Sequence, residues 1–399
     1  MEADAPATPA PGASRRAGLG TIAREWGRLG CIGFGGPPAH IALLRELCVA
    51  RRRWLSDHEF EDAIAACNLL PGPASTQMSI FCAWRVGGLP GGLIGGLGFV
   101  GPGLVLMVAL AALFLAGTPP EWVRGAGAGA GAAVAAVAVQ AAAGLMPGSF
   151  ARVAGSARVR WVAYLGLGAF AAATVGPWLV LLLLACGLVE AGLRRARAGG
   201  GRPDGVAVQA WPTLLAAAAG AGGLGALAWV ALKVGALSYG GGFVIIPLMQ
   251  GDAVDRYGWM TDAQFLNAVA LGQVTPGPVV HTVTAVGYAA AGVGGALLAA
   301  VVAFAPSFAF VLAGARRFDR LRANPEVRAF LDGAGPAAIG AILGSSVALA
   351  VPLSEAWQWA VLAGAVALLL VARRGVVPTL LAAGAVGAAV ALAGGPVPQ

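Results

Sequence analysis

The chain has 399 residues, 58% hydrophobic and only 11% Asp, Glu, Lys or Arg. Soluble domains carry about 25% charged residues, so the polar surface needed to cover a water-soluble fold is missing. The 62 Gly and 25 Pro are set among Ala, Leu and Val rather than polar residues, which excludes collagen and disordered chains and leaves an all-α polytopic membrane protein. The formal charge of +8 rests on 26 basic residues, all arginine except Lys233. They lie in short clusters between apolar segments rather than on one face, so no nucleic-acid partner is expected. Cys31, Cys48, Cys67, Cys82 and Cys186 form no CxxC pair and have no histidine at metal spacing. No metal, cofactor or disulfide framework is expected.

In chain order, residues 1–19 are Ala/Pro-rich without an apolar core and read as a disordered cytoplasmic tail. Residues 20–193 form a first half. It opens on a motif region and continues with apolar segments near 90–116, 122–146, 159–175 and 177–193, each close to the ~20 residues of a membrane helix. Residues 194–210 read as a polar cytoplasmic linker. Residues 211–399 hold a connecting apolar segment near 211–232 and a second half, with segments near 293–315, 329–351, 356–372 and 376–393. The second half repeats the first. A shift of 205 residues lays Gly30–Pro73 over Gly235–Pro278 with 15 of 44 pairs identical, among them Arg51/Arg256, Trp54/Trp259, Asp57/Asp262 and both Pro-Gly-Pro triplets. Matched Trp, Asp and Arg in one register indicate duplication, because chance likeness of apolar segments would match Ala and Leu.

Basic clusters at Arg15–Arg28, Arg45–Arg53, Arg152–Arg160, Arg194–Arg202, Arg316–Arg328 and Arg373–Arg374 mark cytoplasmic loops. The loops near Thr118–Glu121, Asp252–Asp262 and Ser354–Glu355 are neutral or acidic. This pattern places the N-terminus in the cytoplasm and the C-terminus outside, with the second half inverted by the connecting segment. About 9–13 membrane segments result, depending on whether the motif segments dip in and return or cross in pairs.

Helix breakers at membrane depth are the main functional signal. Phe34-Gly35-Gly36-Pro-Pro and Leu70-Pro71-Gly72-Pro73 interrupt apolar runs, as do Tyr239-Gly240-Gly241-Gly242 and Thr275-Pro276-Gly277-Pro278. Freed backbone groups are costly in hydrocarbon unless satisfied. Broken helices in both halves of an inverted repeat are how secondary transporters build a midplane site. The half-helix after each break presents N–H groups and a positive dipole end suited to an anion. Asn68 and Gln273 precede the triplets, and small or hydroxylic residues follow: Ser75, Thr76 and Gln77 in one half, His281 and Thr282 in the other. The plainer reading of the breaks is packing kinks, which four breaks in register argue against. Arg28 and Lys233 each precede a Gly-Gly break by seven residues. Together they would supply two countercharges to a dianion, and snorkelling to the interface is the structural alternative. Glu46, Arg51, Arg52 and Asp57 form a charged loop, read as a membrane-edge clamp or an anion-gathering vestibule. His40 and His58 read as interfacial. No GxxxxGK[ST] loop occurs, and the glycine runs at Gly87–Gly103 and Gly125–Gly131 read as close helix packing.

GFGGPPAHIALLRE (33–46), RRWLSDHEF (52–60), NLLPGPASTQM (68–78), YGGGFVIIPL (239–248), GWMTDAQF (258–265) and GQVTPGPVVHT (272–282) together resemble the two halves of the long-chain chromate ion transporter family, over roughly residues 20–395. The resemblance implies a multi-pass bacterial inner-membrane protein, not an enzyme, with inverted homologous halves. It implies export of chromate with sulfate as the look-alike substrate, a basic residue at the positions of Arg28 and Lys233, FGG at Phe34–Gly36 and PGP at Pro71–Pro73. The second break departs from the first in reading GGG without its prolines. The lipid bilayer and a small oxyanion are the expected partners, and a homodimer is compatible with the sequence. Transport of another small anion on the same scaffold is the alternative. A membrane enzyme would need a paired nucleophile and base, which Glu46–Asp57 lacks, and a non-transporting scaffold would not need four broken helices.

Overall fold

The computed structural model describes residues 17–67, 70, 72–115, 119–174, 179–197, 223–238, 243–314 and 324–398. Asn68, Pro71, Gly240, Gly241, the tail to residue 16, linker residues 198–210 and the start of the connecting segment lie outside them.

Every regular element among the described residues is helical, and the elements fall into two sets of seven. The first set is α1 (Leu19–Ile32), α2 (Gly36–Arg45, continued by a π turn over Glu46–Arg51), α3 (Asp57–Cys67), α4 (Ala74–Leu115), α5 (Glu121–Phe150), α6 (Ser156–Thr174) and α7 (Leu179–Arg197). The second is α8 (Leu224–Leu237), α9 (Ile246–Gln250, continued by a π turn over Gly251–Arg256), α10 (Asp262–Val274), α11 (Thr282–Gly314), α12 (Pro325–Ala350), α13 (Ala356–Val366, continued by a π turn over Ala367–Val371) and α14 (Val376–Leu392). Even the π turns after α2 and α9 recur at matching positions. α4, α5, α11 and α12 are long and apolar enough to cross a membrane.

The glycine run at Gly87–Gly103 does more than the close packing expected of it. Gly88 takes φ 63° and ψ −158° inside α4, and Gly292 takes φ 61° and ψ −152° inside α11. A positive φ is open to glycine with little penalty, and the chain reverses there. A Cβ on Gly91 would lie 2.6 Å from the Ala83 carbonyl oxygen, and one on Gly287 would lie 2.7 Å from Ala299 Cβ. Each helix is therefore a hairpin, with inner limbs 74–87 and 282–290. The outer limb 89–115 is about 40 Å long at ~1.5 Å per residue, ample for a bilayer core.

Ion pairs also tie together the helices that flank the breaks read from sequence. Around the first Gly-Gly break, buried Glu25 of α1 pairs with Arg51 at 2.5 Å and with Arg52, while Trp54 stacks on Trp26 at 6.0 Å. Around its counterpart, Lys233 of α8 pairs with Asp252 beyond α9. Around the first Pro-Gly-Pro break, Glu59 of α3 pairs with Arg85 of the inner limb of α4.

The two sequence halves interlock. α5 packs along α13 and α14, and its repeat counterpart α12 packs along α6 and α7. Glycines make these seams close: a Cβ on Gly340 or Gly344 of α12 would overlap carbonyl oxygens of α6, and one on Gly129 of α5 would overlap that of Ala383. Glu190 of α7 holds Arg160 of α6 at 2.7 Å and Arg194 at 3.2 Å, and Arg194 reaches Asp332 of α12 at 2.7 Å. The counterparts α4 and α11 also pack together. Gly92 faces Leu312 and Gly96 faces Phe308, so one helix ascends as the other descends. Antiparallel counterparts with reciprocal contacts are the arrangement of a two-fold axis perpendicular to the helices.

Candidate functional site

Two Pro-Gly-Pro tips reach across to the opposite half. The Gly277 N–H donates to the Gly33 carbonyl at 2.7 Å, joining the second triplet to the first Gly-Gly break. Gly72 of the first triplet takes φ 120°, and Gly277 takes φ 98°. A Cβ on Gly72 would lie 3.5 Å from the Gly235 carbonyl, which leads into the second Gly-Gly break, and 3.0 Å from Ser307 Oγ of α11. Reciprocally, Gly103 of α4 abuts Pro276 of the second triplet and His281 just after it. Gly103 and Ser307 each follow a helix proline, Pro102 and Pro306, and both pairs are 204 residues apart, as are the Gly88 and Gly292 turns, so the two contacts match through the repeat after a one-residue shift of register. The second triplet thus meets the first Gly-Gly break, and the first triplet meets the end of α8, across hundreds of residues.

Around the tips, buried polar groups lack protein partners. Ser75 Oγ, Thr76 Oγ1, Ser238 Oγ, Gln273 Nε2, Thr284 Oγ1 and Ser307 Oγ are in this state. Such groups are rare in folded interiors and call for water or a ligand. Thr282 and Thr275 instead donate to their own helices, at Val279 O (2.9 Å) and Gly272 O (3.4 Å). The inner limbs of α4 and α11 begin here, so their positive dipole ends point at the junction. His40 is fully buried rather than interfacial. Its Nε2 lies 2.9 Å from Gly33 O and its ring meets Phe99 edge-on, because the hairpin folds α2 back under the break. His58 is exposed and pairs with Asp62 at 3.0 Å.

The charged residues read from sequence are ion-paired or exposed. Lys233 is ion-paired with Asp252, which is 2% exposed, and lies 5.7 Å from the centre of the Trp229 ring. Arg28, its repeat counterpart, is exposed on α1. Arg51 and Arg52 turn toward Glu25, Asp57 pairs with Arg45 at 2.7 Å, and Glu46 is exposed.

A profile of the chromate transporter family matches residues 20–191 and 225–390. The chain belongs to the chromate transporter family. A chromate transport protein of Cupriavidus metallidurans is 32% identical over 334 residues, covering 81% of this chain and 80% of that protein. A chromate transport protein of Pseudomonas aeruginosa is 32% identical over 341 residues, 82% of this chain and 80% of that one. An uncharacterised transporter of Methanocaldococcus jannaschii is 25% identical over 313 residues, 74% and 76% respectively. No solved structure matches the chain.

In this chromate transporter family chain, the structure gathers Gly72, Pro73, Ser75, Thr76, Gln77, Gln273, Thr275, Pro276, Gly277, Pro278, His281 and Thr282 around the two Pro-Gly-Pro tips. Gly35 and Gly36, with φ 98° and 74°, form the first Gly-Gly turn beside them. Sequence reasoning missed Glu25, Asp252 as a partner of Lys233, Ser307, Gly103 and the buried His40. Glu25 and Glu190 did leave a signal, since an acid within an apolar helix asks for a cation. Ser307 and Gly103 left none, because their role comes from which helix lies opposite.

Proposed function

We propose that this chain is a secondary transporter that moves chromate out of the cytoplasm, with the crossed Pro-Gly-Pro tips as the binding region. The observation that carries the reading is the junction itself: half-helix N-termini and unpartnered buried hydroxyls meet where Gly277 bonds Gly33. Fixed N–H dipoles and hydroxyl donors suit a tetrahedral oxyanion that must shed water at membrane depth. A potential of about 100 mV, negative inside, favours departure by about 2.3 kcal/mol per charge. A dianion gains twice that, so membrane potential is one drive for export, and ion coupling through Glu46 or Asp57 is the other. The named relatives support chromate as the substrate. Everted vesicles holding the protein should accumulate chromate when energised, with sulfate tested as competitor. Vesicles that take up no more chromate than empty controls would refute the reading.

In the same reading the N-terminus is cytoplasmic, the C-terminus external, the four break hairpins re-enter the membrane, and the halves are inverted. Arg53 and Gly258 are repeat counterparts, both exposed and both at positive φ, 51° and 59°. Single cysteines at these two positions are expected to react with an impermeant thiol reagent from opposite faces, Arg53→Cys from the cytoplasm. Labelling from one face would exclude the inversion.

A further inference from the structure

A cavity of about 280 Å³ lies between α5, α12 and the first Pro-Gly-Pro tip. Gly72 stands at its inner end and Arg152, just beyond α5, also lines it, with Gly144, Gly148 and Ser149 of α5 and Gly335 of α12 on the walls. A glycine within a helix costs about 1 kcal/mol relative to alanine, and elsewhere in these two helices close contact accounts for it. Gly129, Gly340 and Gly344 sit against neighbouring backbone. Gly144, Gly148 and Gly335 do not: a Cβ on any of them would meet nothing within 4 Å. Gly144 and Gly148 are exposed and Gly335 is buried, so side chains there would enter open space at the cavity that all three line.

The polar groups fit an anion. Ser149 is buried, and its Oγ accepts the Trp161 indole N–H at 2.9 Å, leaving its own O–H to donate. Arg152 is exposed and belongs to the basic cluster that marks a cytoplasmic loop. Ser307, fully buried and with no partner for its Oγ, lies beside Gly72 at the inner end. At roughly 30 Å³ per water the cavity equals about nine waters, room for an oxyanion with part of its hydration.

We propose that this cavity is the cytoplasm-facing vestibule through which the oxyanion reaches the first Pro-Gly-Pro tip. Arg152 is its collecting cation, and Gly144, Gly148 and Gly335 keep it open. The proposal rests on the transport reading above and adds the route. Gly148→Leu and Gly335→Leu should reach the membrane and slow chromate uptake into everted vesicles about tenfold or more, the size of a barrier raised by ~1.4 kcal/mol. Gly166→Leu, on the exposed face of α6 with nothing within 4 Å, should stay within about twofold of wild type. Arg152→Gln should raise the half-saturating chromate concentration about tenfold, and Arg152→Lys should largely restore it. Wild-type rates in both leucine variants would overturn the proposal.

A second readout covers variants that insert poorly and needs no chromate. In a background lacking the five native cysteines, Gly335→Cys should react with an impermeant thiol reagent from the cytoplasmic face. No reaction, or reaction from the outer face only, overturns the vestibule. If Gly335→Cys labels from the cytoplasm while the wild-type protein moves no chromate, the transport reading fails and the water-filled cavity stands.

Discussion

Lys233→Gln is expected to abolish most folded protein, and adding Asp252→Asn is expected to bring it back. Asp252 is 2% exposed, and its Oδ1 has no partner, so the Lys233 ammonium is what holds its charge in the interior. Removing one member of a buried ion pair costs roughly 3–5 kcal/mol, because the other is left uncompensated. That is a large part of the about 5–15 kcal/mol by which a native domain exceeds its unfolded state. Asp252→Asn alone should fold, since the Lys233 side chain is 16% exposed and keeps the Trp229 ring nearby. The double variant separates structure from transport. If Lys233 faces the anion path, the double variant should be folded yet bind chromate about tenfold to a hundredfold more weakly, the worth of a charge-assisted hydrogen bond. Asp252→Asn should then bind chromate more tightly and release it more slowly, lowering the half-saturating concentration and the maximal rate together. Thermal unfolding in detergent reads the first effect and concentration-dependent transport reads the second. A folded double variant with wild-type affinity and rate would remove Lys233 from the path.

Gly103→Val should abolish transport, falling by about a hundredfold or more, as ~2.7 kcal/mol in a barrier does. Its Cβ would overlap the Pro276 carbonyl oxygen and lie 2.8 Å from His281 Nε2. Overpacking costs about 1–3 kcal/mol where side chains yield, but here a main-chain carbonyl blocks the way, so the second Pro-Gly-Pro tip must leave α4. Gly277→Ala attacks the same joint from the other side. It places a Cβ at φ 98° and 3.3 Å from His281 Nε2, and a left-handed backbone costs an L-residue about 1–2 kcal/mol. An approximately tenfold loss is expected there. Gly101→Val is the control, two residues away on α4, where a Cβ meets nothing within 4 Å. Transport normalised to membrane protein should rank Gly101→Val near wild type, then Gly277→Ala, then Gly103→Val. Wild-type transport by Gly103→Val would show that the tip contact lies off the path.

Much of the architecture was legible before any coordinates. Alternating apolar segments and breakers gave helices at nearly the expected places, with 122–146 inside α5 and 376–393 matching α14 within a residue. The repeat holds in three dimensions, since Gly30 and Gly235, 205 residues apart, press on matching stretches of α4 and α11, where the register becomes 204. Gly88 was misread because a glycine that packs closely and one that turns the chain look alike in sequence. What separates them is φ, and that depends on whether the following limb can fold back.

Composition, breakers and repeat are properties of short stretches, so the chain by itself determined that it is all-helical, apolar, duplicated and interrupted by Gly and Pro. Those follow from hydration of side chains and from the backbone limits of Gly and Pro, which act within a few residues. Partnership is different. That Lys233 meets Asp252, that Glu25 meets Arg51 and Arg52, and that Gly277 bonds Gly33 depends on where hairpins turn and which helices cross. Small residues let helices approach but do not name the neighbour. Only the tertiary structure decided that α5 and α12 interlock with the opposite halves, and with that, that the second Pro-Gly-Pro tip meets the first Gly-Gly break.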